Sequence, residues 1–201
     1  MRDLTDSLAA IFVAIDDANR RDPNALDAGP RALVEGQRAT EWLERLVPDA
    51  SPALQVAARA HHLRRWELQR SDYPEGRAGY LRWRRDNKAH QADATAAILD
   101  QADWPRDKID RTRELLGRTQ LRTDPETQAL EDVACLVFLE TQFAAMVERT
   151  DPDHMVTIVA KTLRKMSDQA IEAAGTLTLE PAGQRVISDA VASLSQEPTD
   201  D

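Results

Sequence analysis

Leu130-Glu131-Asp132-Val133-Ala134-Cys135-Leu136-Val137-Phe138-Leu139-Glu140 decides the fold class. Val133 to Leu139 is apolar on every side, the mark of a helix buried all round. Such a helix needs other helices to cover it, and the rest of the chain supplies them. Leu4, Leu8, Ile11 and Ile15 fall at i, i+4, i+7 and i+11, one face of a first helix. Asp22-Pro23 ends it, and Gly29-Pro30 opens a second helix holding Val34, Trp42 and Leu46. Ser51-Pro52 and Asp151-Pro152 each place a capping side chain before a proline, whose missing N–H costs nothing at the first helical position. Thr123 to Glu126 reads as a capping box. Helices are expected near residues 3–20, 30–47, 52–69, 77–102, 105–118, 125–149, 153–174 and 182–195. Residues 24–29 read as an ordinary loop and residues 196–201 as a disordered polar tail. Strand alternation, repeats and interdomain linkers are absent from the pattern. The expectation is an all-α fold, a single-domain bundle of about eight helices over residues 1–195.

The chain has 201 residues, enough to bury a core without disulfides. Its one cysteine, Cys135, excludes an internal disulfide and a zinc ribbon built on several thiolates, and it reads as a small core residue. No apolar run reaches the ~18 residues of a membrane span, and acids stand where a signal peptide carries a basic stretch. A cytoplasmic protein is expected. The net charge of −9 speaks against a general nucleic-acid coat. The charge is uneven, however. Between Arg59 and Lys88 nine basic residues face four acidic ones, while both flanks are acidic. A basic island in an acidic chain attracts an anion locally, unless it is a solvated face of Arg–carboxylate pairs.

Three constellations could carry chemistry. The first is Ala60-His61-His62-Leu63-Arg64-Arg65-Trp66-Glu67-Leu68-Gln69-Arg70. On a helix, His61 lies between Leu54 and Leu68, and His62 near Ala58 and Trp66. A neutral imidazole there is a metal ligand or general base, or else a core histidine satisfied by a carbonyl. The second is Asp86, His90 and Asp93, which share a helix face. Imidazole plus carboxylate suits Mn, Fe or Zn; alternatively an aspartate orients His90, or the set is salt-bridged surface. The third is Glu131 and Asp132 at the entrance of the apolar helix. A buried carboxylate must be paired or bind a metal, although acids also favour a helix N-terminus. Gly-rich phosphate loops, serine elbows and His-Glu-x-x-His motifs do not occur.

From Asp22 to about Ser167 the chain resembles the bacterial and fungal family called domain of unknown function 4202. The likeness rests on Gly36-Gln37-Arg38-Ala39-Thr40-Glu41-Trp42-Leu43, on residues 57–67, on Tyr73-Pro74, on Arg77-Ala78-Gly79-Tyr80-Leu81-Arg82-Trp83-Arg84, and on residues 130–140. That family carries no firm activity, so the resemblance implies none. A weaker similarity goes to the His-Asp metal-dependent phosphohydrolases, because His61-His62, His90 and Asp132 come in the order of their ligands. It implies a divergent fold of that kind. The departures are that the defining His-Asp dipeptide reads His61-His62, and that Glu35 or Gln37 stands near the place of the early histidine.

The expected function is a divergent metal-dependent hydrolase acting on a small phosphorylated or otherwise anionic metabolite. His62, His90 and Asp132 are the metal ligands of this reading, with Glu67 and Glu131 as catalytic carboxylates. Arg65, Arg70, Tyr73, Arg77 and Arg84 are its substrate-binding residues. The alternative is a non-catalytic module that binds an anionic metabolite or acidic partner through the same arginines. A small anionic molecule is the expected partner and a homodimer is possible; a membrane and a nucleic acid are not expected.

Overall fold

The computed structural model describes residues 4–196, and side chains over 7–194. It is all-α. The elements in chain order are α1 (Leu4–Asn19), a two-residue ladder of β1 (Ala25–Leu26) and β2 (Gly29–Pro30), α2 (Arg31–Leu46), α3 (Pro52–Ala60), two 3-10 turns (Arg65–Glu67 and Arg70–Asp72), α4 (Gly76–Gln101), α5 (Arg106–Gly117), α6 (Pro125–Thr141), α7 (Phe143–Arg149), α8 (Pro152–Leu163), α9 (Asp168–Ala174) and α10 (Pro181–Gln196). No helix among the described residues is long and apolar enough to cross a membrane. Contacts divide the chain into two compact units, 1–130 and 131–201.

In the first unit α5 packs on both α3 and α4, and α2 packs on α3. Ile11, Ile15, Val56, Leu63, Leu99 and Ile109 form its apolar core. Arg59 on α3 reaches back to α1, donating from Nε and Nη2 to Asp16 at 2.8 and 2.6 Å. That bidentate geometry fixes angle as well as distance. In the second unit α8 packs on α10, and α7 on both. Leu136, Phe143, Met155, Val159 and Ala190 are buried there. Cys135 is buried too.

Ser51 and Asp151 cap α3 and α8 as the sequence indicates, accepting from Leu54 N and His154 N. Other boundaries differ, each for a local reason. Asp124, not Thr123, is the acceptor at the start of α6, taking Glu126 N and the Thr127 hydroxyl. The helix expected over 52–69 stops at Ala60, because the His61 imidazole takes the Ala58 carbonyl at 2.9 Å and Arg64 turns the chain at φ +54°. His62 and Trp66 are therefore not neighbours on one helix. The helix expected over 125–149 breaks at Gln142, one residue after Thr141 bonds back to the Val137 carbonyl. The helix expected over 153–174 breaks where Ser167 starts α9. Residues 24–29, read as a plain loop, pair Ala25 with Pro30 and Leu26 with Gly29.

Candidate functional site

The chemistry of the first unit gathers around one buried carboxylate. Glu35 sits on the apolar stripe of α2, among Ala32, Val34, Ala39 and Leu43, and is 1% exposed. A carboxylate cannot rest there unpaired. His62 meets it, with Nδ1 2.5 Å from Oε2, and Arg31 one turn earlier places Nε 3.7 Å from Oε1. Donation from Nδ1 to Glu35 puts the imidazole lone pair on Nε2, and the His62 side chain keeps 17% of its surface exposed.

Three guanidinium groups act on that imidazole through space. Burial, then Arg65, Arg118 and Arg31, hold His62 well below the ordinary imidazole range. Burial, then His62 and Arg118, do the same to His61, whose ring lies 4.0 Å from that of His62. Both imidazoles are neutral in the folded protein near pH 7. Arg65 also lies over the Trp83 ring at 4.9 Å, and Arg84 over Tyr80 at 5.8 Å. Burial lowers the Arg65 guanidinium from its usual value, and Glu35 opposes this. Arg64 and Arg118 both adopt left-handed backbone, at φ +54° and +51°.

The remaining expected residues are placed as follows. His90 Nε2 lies 2.8 Å from Glu67, on the exposed side of α4. Arg70 donates to the carbonyls of Tyr73 and Gly76, which holds the loop before α4. Tyr73 faces Asp86, and Arg77 is exposed. Asp93 pairs with Arg113, and Asp86 with Arg82 and Arg85. In the second unit, the buried Asp132 accepts from Ser167 N at 2.9 Å and from its hydroxyl at 2.6 Å, fixing the start of α9. Glu131 lies 3.5 Å from Lys165. Among the described residues no group of three or more His, Cys, Asp or Glu side chains is placed to hold a metal ion.

The structure places Arg65 close enough to act on His62 and Arg84 close enough to act on Arg65, and it adds three residues that the island-based reading did not use as ligands. Arg31 and Arg118 lie outside the basic island, and Glu35 was marked only by its position relative to the phosphohydrolase pattern. Its signal in the sequence was an acid at i+3 from Ala32 and i−4 from Ala39, inside an apolar stripe.

Two imidazoles held neutral give a pH signature. Unfolded histidines take a proton near pH 6.5, whereas these resist it, so the unfolded chain binds more protons as pH falls. Stability is full above about pH 6.5 and declines below it, by up to ~1.4 kcal/mol per pH unit for each imidazole. Urea unfolding at pH 7.5, 6.0 and 5.0 measures this. His62→Gln should flatten the slope by about half.

A family described as Domain of unknown function (DUF4202) matches residues 9–187. No curated protein and no solved structure matches the chain.

Proposed function

The chain belongs to the DUF4202 family, and we propose that it binds a small phosphorylated or otherwise anionic metabolite at His62 and hydrolyses it there. The observation that carries this is the buried Glu35–His62 contact, with Arg31 beside Glu35 and Arg65 and Arg118 close enough to act on the imidazole. Guanidinium forks match the oxygens of a phosphoryl group, and low local dielectric strengthens the attraction. The lone pair on His62 Nε2 suits an oxyanion that carries a proton, or the proton of an attacking water. Glu35 orients the ring through Nδ1 and steadies the imidazolium that forms. This favours hydrogen phosphate over sulfate, which has no proton to give.

Calorimetric titration with inorganic phosphate and with sulfate tests the reading. Phosphate should bind about tenfold tighter than sulfate. Arg65→Ala and Arg118→Ala should each weaken phosphate by about tenfold or more, the worth of one charged hydrogen bond. Absence of phosphate binding, or indifference to both substitutions, overturns the reading.

The metal-dependent form of the hydrolase, by analogy with the His-Asp phosphohydrolases, is a second proposal. In its favour, His62 Nδ1 is anchored on a carboxylate, which is how metal-binding imidazoles are oriented. Three guanidinium groups around the ring fit a divalent cation poorly, so no step is drawn through one. Elemental analysis of untagged protein for Mn, Fe and Zn decides between the two forms.

A further inference from the structure

The second unit holds a cavity of about 480 Å3, formed by the end of α6, α7, residues 177–180 and the start of α10. Its walls are Leu139, Phe143, Val147, Leu177 and Leu179. The space exists because small residues stand at the crossing of α7 and α10. Ala144 and Ala182 line it, and a Cβ on Gly183 would lie only 2.9 Å from Phe143 Cε1. Glycine at 183 lets the Phe143 ring approach α10 closely and serve as a wall. That ring is 1% exposed and also meets Phe138 edge-on, at 6.4 Å between centroids.

The charges on this cavity have one sign. Glu140, Glu148 and Glu180 line it, and no lysine, arginine or histidine does. The volume falls in the range of small-molecule sites, roughly 300–1,000 Å3. An apolar chamber gains by taking hydrocarbon out of water, and three carboxylates at its edge attract a cation and repel an anion. We propose that this cavity is a separate binding site for a small organic cation with an apolar tail, an alkyl- or arylammonium compound. The tail lies against Phe143, Val147 and Leu179, and the ammonium group donates to the carboxylates of Glu148 and Glu180. The site shares no residue with the His62 cluster and takes a ligand of the opposite charge.

Titration of the full chain with octylamine, octanol and octanoate separates charge from hydrophobicity at one tail length. Octylamine, protonated at pH 7, should bind at least tenfold tighter than octanol, and octanoate should not bind. Raising the salt should weaken octylamine selectively. Glu148→Gln with Glu180→Gln should bring octylamine down to the octanol level. Both residues are exposed, so the fold tolerates the change. Ala144→Trp, also at an exposed position, should block octylamine and octanol alike. Arg65→Ala, which tests the anion site, should leave octylamine binding unchanged. Octanol binding as tightly as octylamine, an unaltered affinity in the double glutamine variant, or no octylamine binding at all overturns the proposal.

Discussion

Glu35→Ala should lower the unfolding free energy by about 3 kcal/mol, the upper range for leaving buried donors without their acceptor. Glu35 is the shared partner of Arg31 and His62 and is itself 1% exposed. Its loss leaves a guanidinium and an imidazole donor facing an empty space on the apolar face of α2. Glu35→Gln keeps the shape and an oxygen that still accepts from His62 Nδ1, so its cost should be smaller, about 1–2 kcal/mol. The same variant removes the negative charge that offsets Arg31, Arg65 and Arg118. Phosphate should therefore bind more tightly to Glu35→Gln than to the parent while any turnover falls, because the ring loses the carboxylate that steadies its protonated form. Urea unfolding and phosphate calorimetry on the two variants measure both effects. A cost below about 1 kcal/mol for Glu35→Ala would remove the buried pair from its central place in the site.

The helices were readable because their signals are local. Ser51, Asp151 and the i, i+4, i+7 spacing of Leu4, Leu8 and Ile11 each act within one or two turns. The misplaced ends were set by partners distant in sequence or by competition for one carbonyl. Ser167 starts α9 where Asp132, 35 residues earlier, binds its amide and hydroxyl. His61 ends α3 by taking the Ala58 carbonyl. Asp132 shows the same limit on functional reading. Its burial was legible in the apolar run around it, but burial is equally satisfied by a metal or by a backbone amide, and only the fold brings Ser167 to it. The arginine island misled in one respect and informed in another. Arg70 lies in it yet serves the loop carbonyls of Tyr73 and Gly76, whereas Arg31 and Arg118 lie outside it and act on His62 through space. Charge counted along the chain finds a patch; the charges that converge on one imidazole come from α2, a 3-10 turn and the end of α5.

Gly79→Ala should destabilise the protein by about 3 kcal/mol, although alanine is the better helix former by ~1 kcal/mol. Gly79 lies in the first turn of α4, where a Cβ would stand 1.8 Å from the Pro74 carbonyl oxygen and 2.7 Å from its carbon. Those atoms are backbone, and the proline ring restricts how the loop can yield. The methyl group must therefore push α4 away from residues 73–75. That movement strains the bonds from Arg70 to the carbonyls of Tyr73 and Gly76, and it shifts Tyr80 and Trp83, which carry Arg84 and Arg65. Phosphate affinity should fall together with stability. Gly117→Ala is the matched control: it also lies in a helix, but its nearest neighbour would be Thr119 Cγ2 at 3.9 Å, an ordinary contact, so it should be neutral or stabilising by up to ~1 kcal/mol. Thermal unfolding of the pair should show Gly79→Ala melting about 10 °C below the parent and Gly117→Ala at or slightly above it. If Gly79→Ala melts with the parent, α4 does not approach the Pro74 backbone as closely as described, and the placement of Arg65 over Trp83 loses its foundation.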